Sequence, residues 1–208
     1  MFILGVLALT NFLYSQTKER TIEKAPLNAE DINPILMGTK IPDVTLTDMN
    51  GSTVELLKRV SDKPSILIFY RGGWCPYCNT QLSQIQKIES DLAALGYEIL
   101  AISPDRPDEL KRSIEKNEIK YTLLSDSSMN ACLQFGIAFK VSDEIIGKYK
   151  SYDIDLEASS GLNHHLLPVP SVFIVGTDGI IKFEYVNPNY KIRLDPDVLM
   201  AAAVAALK

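Results

Sequence analysis

Apolar and polar positions alternate through residues 41–56 (IPDVTLTDMNGSTVEL), with Asn50-Gly51 between the two halves. That period of two around an Asn-Gly pair predicts a β-hairpin. Residues 65–70 (SILIFY) form a continuous run of strand-favouring residues, the pattern of a strand covered on both faces. From Pro76 the period becomes helical: Leu82, Ile85, Ile88, Leu92 and Leu95 make one stripe, and Gly96 closes it. Residues 97–103 (YEILAIS) read as a strand. A charged helix follows over 107–117, with Pro107 in its first turn, then a strand at 121–126 (YTLLSD). A short helix over 129–135 ends at Gly136. Residues 142–167 are polar without a clear period and are expected to form an irregular insertion. A second hairpin is predicted from SVFIV (171–175), the turn Thr177-Asp178-Gly179 and IIKFEYV (180–186). An alanine-rich helix over 195–207 closes the chain, with Asp195 as N-cap and Pro196 at its first position.

This order, hairpin then βαβαβ then hairpin then helix, predicts an α/β domain. Its central mixed β-sheet is flanked by helices and carries an N-terminal β-hairpin extension. The first strand-to-helix junction reads RGGWCPYCNTQL (71–82), and a C-x-x-C there is the thioredoxin-like arrangement.

Composition narrows the picture further. The 208 residues suit one domain, placed at 37–208, with 16–36 as a polar arm containing Pro26 and Pro34. The net charge is −5 and no Lys/Arg run stands out, which gives no electrostatic case for nucleic acid or an anionic membrane. Residues 1–15 (MFILGVLALTNFLYS) carry no charge. As a helix they would span about 22 Å, short of the roughly 30 Å of a bilayer core. With the small Ser15 at their end they read as the apolar part of a signal peptide. That predicts export to a periplasmic or extracytoplasmic setting without stable membrane insertion. The competing reading is a hydrophobic helix packed on the fold. The three cysteines are not spread as a disulfide scaffold: Cys75 and Cys78 are paired and Cys132 stands apart.

A cysteine capping the helix would meet its unpaired N–H groups and positive dipole end, which stabilise a thiolate. Spacing of three brings Cys75 and Cys78 to one helix face, within the roughly 4.4–6.8 Å Cα separation a disulfide tolerates. Pro76 at the first helical position costs no hydrogen bond, Gly72 and Gly73 free the backbone ahead of it, and Trp74 shields one side. A structural staple across three residues would constrain almost no chain, so the pair reads as redox-active. A zinc site would need His164 and His165, adjacent residues that point apart in regular structure. These histidines are either solvated loop residues or, functionally, one of them assists proton transfer at the cysteines. Arg71 either tunes a thiolate or is a strand-end surface arginine. Cys132, on an apolar stretch, is expected to be a buried inert thiol rather than a resolving one. Pro170 precedes a buried strand in LPVPSVF; a cis Val169–Pro170 bond would let it face the cysteine pair.

The ordered motifs GTKIPDVTL, ILIFYRGGWCPYCNTQL, AISPD, LLSD and LPVPSVFIVGTDGIIKFEYVNPNY together resemble peroxiredoxin-like members of the alkyl hydroperoxide reductase/thiol-specific antioxidant superfamily. The resemblance covers residues 37–207. It implies a thioredoxin fold, thiol-based redox activity, and a cis-proline at Pro170. Aligned on the family's P-x-x-x-T/S-x-x-C motif, Cys78 takes the peroxidatic position, with Cys75 at the Thr/Ser position and Arg71 at the Pro position. The thioredoxin-type W-C-x-x-C motif, which Trp74 to Cys78 match directly, would instead make Cys75 the nucleophile and Cys78 the resolver. Either cycle passes through a Cys75–Cys78 disulfide and calls for no metal or organic cofactor. The expected oxidant is a hydroperoxide or a disulfide-containing protein, and the expected reductant an external dithiol such as a thioredoxin-like protein. The rival is a non-catalytic thioredoxin-fold binding module with a structural or zinc-binding C-x-x-C.

Overall fold

The computed structural model describes Thr21 and residues 24–207. The expected signal segment, 1–15, and the first part of the arm lie outside the described residues. Alternation around Asn50-Gly51 gives β1 (Thr45–Asp48) and β2 (Thr53–Glu55), paired antiparallel. The Asp48 carboxylate holds their turn by accepting from the N–H groups of Asn50 and Ser52, each at 2.8 Å. Helix α1 (Leu56–Asp62) follows, too short for its stripe to show in sequence; its Leu56 and Val60, one turn apart, are both buried.

β3 (Ser65–Phe69) leads into α2 (Pro76–Ala94), β4 (Glu98–Ser103), α3 (Pro107–Asn117) and β5 (Thr122–Ser125). These three strands are parallel neighbours, as crossover helices require. α4 (Asn130–Gln134) comes next, and β8 (Ser171–Val175) with β9 (Ile181–Val186) form the closing hairpin before α7 (Pro196–Ala205). The seven-stranded sheet runs β2-β1-β5-β4-β3-β8-β9, mixed as expected. Asp195 caps α7 through the N–H of Asp197 at 2.8 Å.

The stretch expected to be irregular is not. It contains α5 (Asp143–Lys150), α6 (Leu156–Ser160) and β7 (Leu166–Pro168), which pairs with β6 (Ala138–Lys140). Ser142 caps α5, acids occupy its first turn and lysines its last, so capping and dipole supply what the apolar period lacks.

Alternation along β3 separates two cores. Ile66, Ile68 and Tyr70 pack with α2, α3 and α7, while Leu67 and Phe69 pack with α1 and α4. Arm residues Ala25, Ile32 and Ile35 cover the second core. Among the described residues no helix is long and apolar enough to cross a membrane.

Candidate active site

The Tyr70 N–H extends the ladder past β3 by donating to the Ile102 carbonyl at 2.9 Å, and the chain then turns sharply into α2. Gly72 lies at φ +142°, where a β-carbon would run into the Trp74 indole nitrogen and approach Asp105 Oδ1 to 2.8 Å. At Gly73 a β-carbon would collide with the Ser113 hydroxyl. The turn is tied at both ends: Gly73 N–H donates to Asp105 Oδ2 at 2.7 Å, and Asn79 Nδ2 donates to the Gly73 carbonyl at 2.8 Å. Cys75, extended at φ −86°, is the N-cap of α2, and Pro76 is the first helical residue. The Cys78 N–H donates to Cys75 Sγ at 3.4 Å, a sulfur doing the work of a capping oxygen. Both thiols are free and buried; Cys75 is 1% exposed and Cys78 0%.

Their surroundings push the two sulfurs apart in acidity. The Cys75 thiol is lowered to about 6, first by the hydrogen bond from the Cys78 thiol. Burial opposes this, and the Cys78 backbone N–H and the charges of Arg71 and Arg193 assist it. Cys78 is pushed well up by burial, then by its hydrogen bond to Cys75 and by that sulfur's charge. Cys75 is therefore the more acidic thiol of the pair.

Arg71 is no surface arginine. It is 4% exposed, and its guanidinium sits 4.1 Å from the Tyr190 ring centroid, 5.1 Å from Trp74 and 5.5 Å from Tyr149. It also donates to the Tyr149 hydroxyl. Buried Asp105 behind the turn has its carboxyl raised to about 7, chiefly by burial. Arg193, between β9 and α7, reaches both sulfurs.

The other expected site residues fall elsewhere. Among the described residues no peptide bond is cis, so Val169–Pro170 is trans, which corrects the cis expectation. The physical reason is that the segment runs extended from β7 into β8: Val169 N–H donates to the Ile137 carbonyl and the Pro170 carbonyl accepts from Asn187 N–H. His164 uses both ring nitrogens, Nδ1 accepting from Leu166 N–H at 2.9 Å and Nε2 donating to the Ser127 carbonyl at 2.8 Å. His165 Nε2 lies 2.6 Å from Glu157 Oε1. Neither ring is brought to the cysteines. Among the described residues no three His, Cys, Asp or Glu side chains converge to hold a metal, so a zinc-filled C-x-x-C has no ligand set. Cys132 is fully buried beside Asp126, and burial pushes its thiol well up. Sequence reasoning missed Tyr149, Tyr190, Asp105 and Arg193. Asp105 and Tyr190 close the motifs AISPD and LPVPSVFIVGTDGIIKFEYVNPNY without being singled out, and Tyr149 lies on α5, whose cap-and-dipole pattern was a local signal.

The AhpC/TSA family model matches residues 37–184. The chain belongs to this family. Peroxiredoxin Bcp of Escherichia coli (strain K12) is 30% identical over 169 residues, 81% of this chain and 96% of that protein. A putative peroxiredoxin bcp of Haemophilus influenzae is 36% identical over 106 residues, 51% of this chain and 68% of that protein. The solved structure of peroxidoxin BcpB from Mycobacterium tuberculosis superposes with a TM-score of 0.62 at 21% identity, covering 81% of this chain and 96% of that one. The chain is thus a thiol-based oxidoreductase with a thioredoxin-like fold, and the non-catalytic module is not favoured. The relatives also correct the expected export: the proteins that the chain matches are Bcp peroxiredoxins, and the periplasmic assignment does not stand.

Proposed function

We propose that this AhpC/TSA-family member reduces hydroperoxides by cycling a Cys75–Cys78 disulfide, with Cys75 as the nucleophile. The observation that carries the reading is the cap itself: Cys75 Sγ accepts the Cys78 N–H at the start of α2, and its thiol is lowered to about 6. In the first step the Cys75 thiolate attacks one peroxide oxygen. The O–O bond breaks, an alcohol or water leaves with the proton, and Cys75 becomes a sulfenic acid. Cys78 then closes the disulfide, and an external dithiol returns both thiols by exchange. At 1% exposure Cys75 admits a small oxidant far more readily than another protein's disulfide, which favours a hydroperoxide as substrate.

Trp74 is the only tryptophan, and it adjoins the pair. Mixing reduced protein with hydrogen peroxide in a stopped-flow instrument should give a fast fluorescence change whose rate rises with pH to a midpoint near 6. Cys78→Ser should trap sulfenic acid on Cys75, and Cys75→Ser should abolish the fast phase. A fast phase that survives in Cys75→Ser, with sulfenic acid on Cys78, sinks this assignment. A rate no better than that of an ordinary thiolate would point to a protein disulfide as the oxidant.

A further inference from the structure

The second half of the cycle has a requirement the first lacks. Cys78 must attack oxidised Cys75 as a thiolate, yet it is the more buried sulfur and is held protonated in the reduced pair. Arg193 is the cation that reaches it. Its Nη2 lies 3.3 Å from Cys78 Sγ and 3.9 Å from Cys75 Sγ. The rest of the guanidinium is anchored: Nε donates to the Tyr190 carbonyl at 2.8 Å and Nη1 to Gln81 Oε1 at 3.1 Å. Gln81 is itself buried, on the face of α2 that carries Cys78. A planar fork fixed at two points therefore aims its remaining N–H groups at the sulfurs, nearer to Cys78. Arg71 is not placed to do this, because its guanidinium is enclosed by Trp74, Tyr149 and Tyr190.

We propose that Arg193 is a catalytic residue of the resolving step, holding Cys78 as a thiolate aimed at the Cys75 sulfur. The inference rests on Cys75 being the nucleophile. Oxidation of Cys75 to sulfenic acid removes the negative charge beside Cys78 and leaves the Arg193 charge to Cys78 alone. The Cys78 thiolate then gives its electron pair to the Cys75 sulfur: the S–S bond forms and the S–O bond breaks. The departing hydroxide, with the proton released by the Cys78 thiol, leaves as water. The groups facing Cys78 are Cys75 from the start of α2, Arg193 from the segment before α7, and the Tyr70 phenol and Arg71 N–H from the end of β3. Asp105 lies beyond Tyr70.

The test is single-turnover oxidation of the full chain by hydrogen peroxide from pH 5 to 9. Trp74 fluorescence follows oxidation, and acid quench with thiol blocking and mass spectrometry follows disulfide closure. In Arg193→Met, closure should slow about tenfold or more relative to oxidation, the loss of a charge-assisted hydrogen bond. Its pH midpoint should also rise. Arg193→Lys, which keeps charge without the fork, should recover part of the loss and part of the midpoint shift. Closure that keeps pace with oxidation in Arg193→Met overturns the inference. So does a pH-independent slowing that lysine does not relieve, the mark of a structural role only. Failure of the underlying reading shows in a different protein, as sulfenic acid on Cys78 in Cys75→Ser.

Discussion

Two strand-to-helix junctions of this sheet each deliver a buried cysteine to a helix start, on opposite faces. At the β3–α2 junction Cys75 is the cap, its sulfur accepts an N–H, and the nearby charges are Arg71 and Arg193. At the β5–α4 junction the cap is already filled. Asp126 accepts from Ala131 N–H at 3.0 Å and from Cys132 N–H at 2.8 Å, leaving Cys132 inside the helix beside a carboxyl. One thiol is lowered to about 6 and the other pushed well up, first by burial and then by Asp126. Burial is common to both. What separates them is which atom holds the helix N–H groups and the sign of the charge behind it.

The strongest way to break this comparison is to remove the capping sulfur. Cys75→Ser keeps a capping oxygen and should fold, while peroxide turnover should fall about 10³-fold or more, since the proposed nucleophile is gone. A coupled peroxidase assay with a dithiol reductant reads it. Turnover within about tenfold of wild type would place the chemistry on Cys78.

Next in size is the acid behind each junction. Asp105, tied to Gly73 N–H, is raised to about 7 against an ordinary carboxyl near 4. The sign follows from proton binding: the folded state holds its proton more tightly than the unfolded chain. The contribution to stability is therefore full at low pH and lost as pH rises through about 7. Asp105→Asn, whose amide oxygen still accepts the Gly73 N–H, should gain on wild type as pH rises from 5 to 8, melting well above it at pH 8. The gap should be on the order of a few kcal/mol at most. Equal melting at both pH values would mean that this carboxyl is not held neutral by its burial.

The fold was largely legible because its signals are local. The Asn-Gly and Asp-Gly turns, the buried run at β3 and the α2 stripe each carry their own period. Even Cys78 falls on that stripe, one turn ahead of Leu82. The cysteine cap was legible too, since a C-x-x-C with proline at N1 states its own geometry. The rest of the site was not, because long-range packing brings it there. Tyr149 comes from α5 and Tyr190 with Arg193 from the segment before α7, and nothing near Arg71 in sequence announces an aromatic box. Pro170 misled for the opposite reason: a resemblance supplied a cis bond where strand continuity keeps a trans one.

A smaller effect tests the cations. Arg71→Gln removes one positive charge from the Cys75 side and should move the alkylation midpoint of that thiol upward from about 6. Oxidation at pH 6 should slow by about three- to tenfold. Because Arg193 remains, the midpoint should stay below that of an ordinary thiol near 8.5. A midpoint that does not move would assign the lowering to Cys78, the helix start and Arg193, without Arg71.

The smallest expected effect lies at the second junction. Cys132 packs in the core with Phe69, Phe135 and Phe173, and both its thiol and its N–H are given to Asp126. Cys132→Ala keeps that N–H and removes one buried sulfur, so it should cost about 1 kcal/mol of stability. Peroxide turnover and the pH midpoint of Cys75 should remain unchanged, since the two cores are separated by the sheet. In haloacetamide labelling of the reduced wild type, Cys75 should react with its midpoint near 6 while Cys132 stays unmodified until the chain unfolds. If Cys132 labels in the folded protein, or its loss moves the Cys75 midpoint, the faces are coupled. Capping and local charge would then be too local an account of why one cysteine works and the other does not.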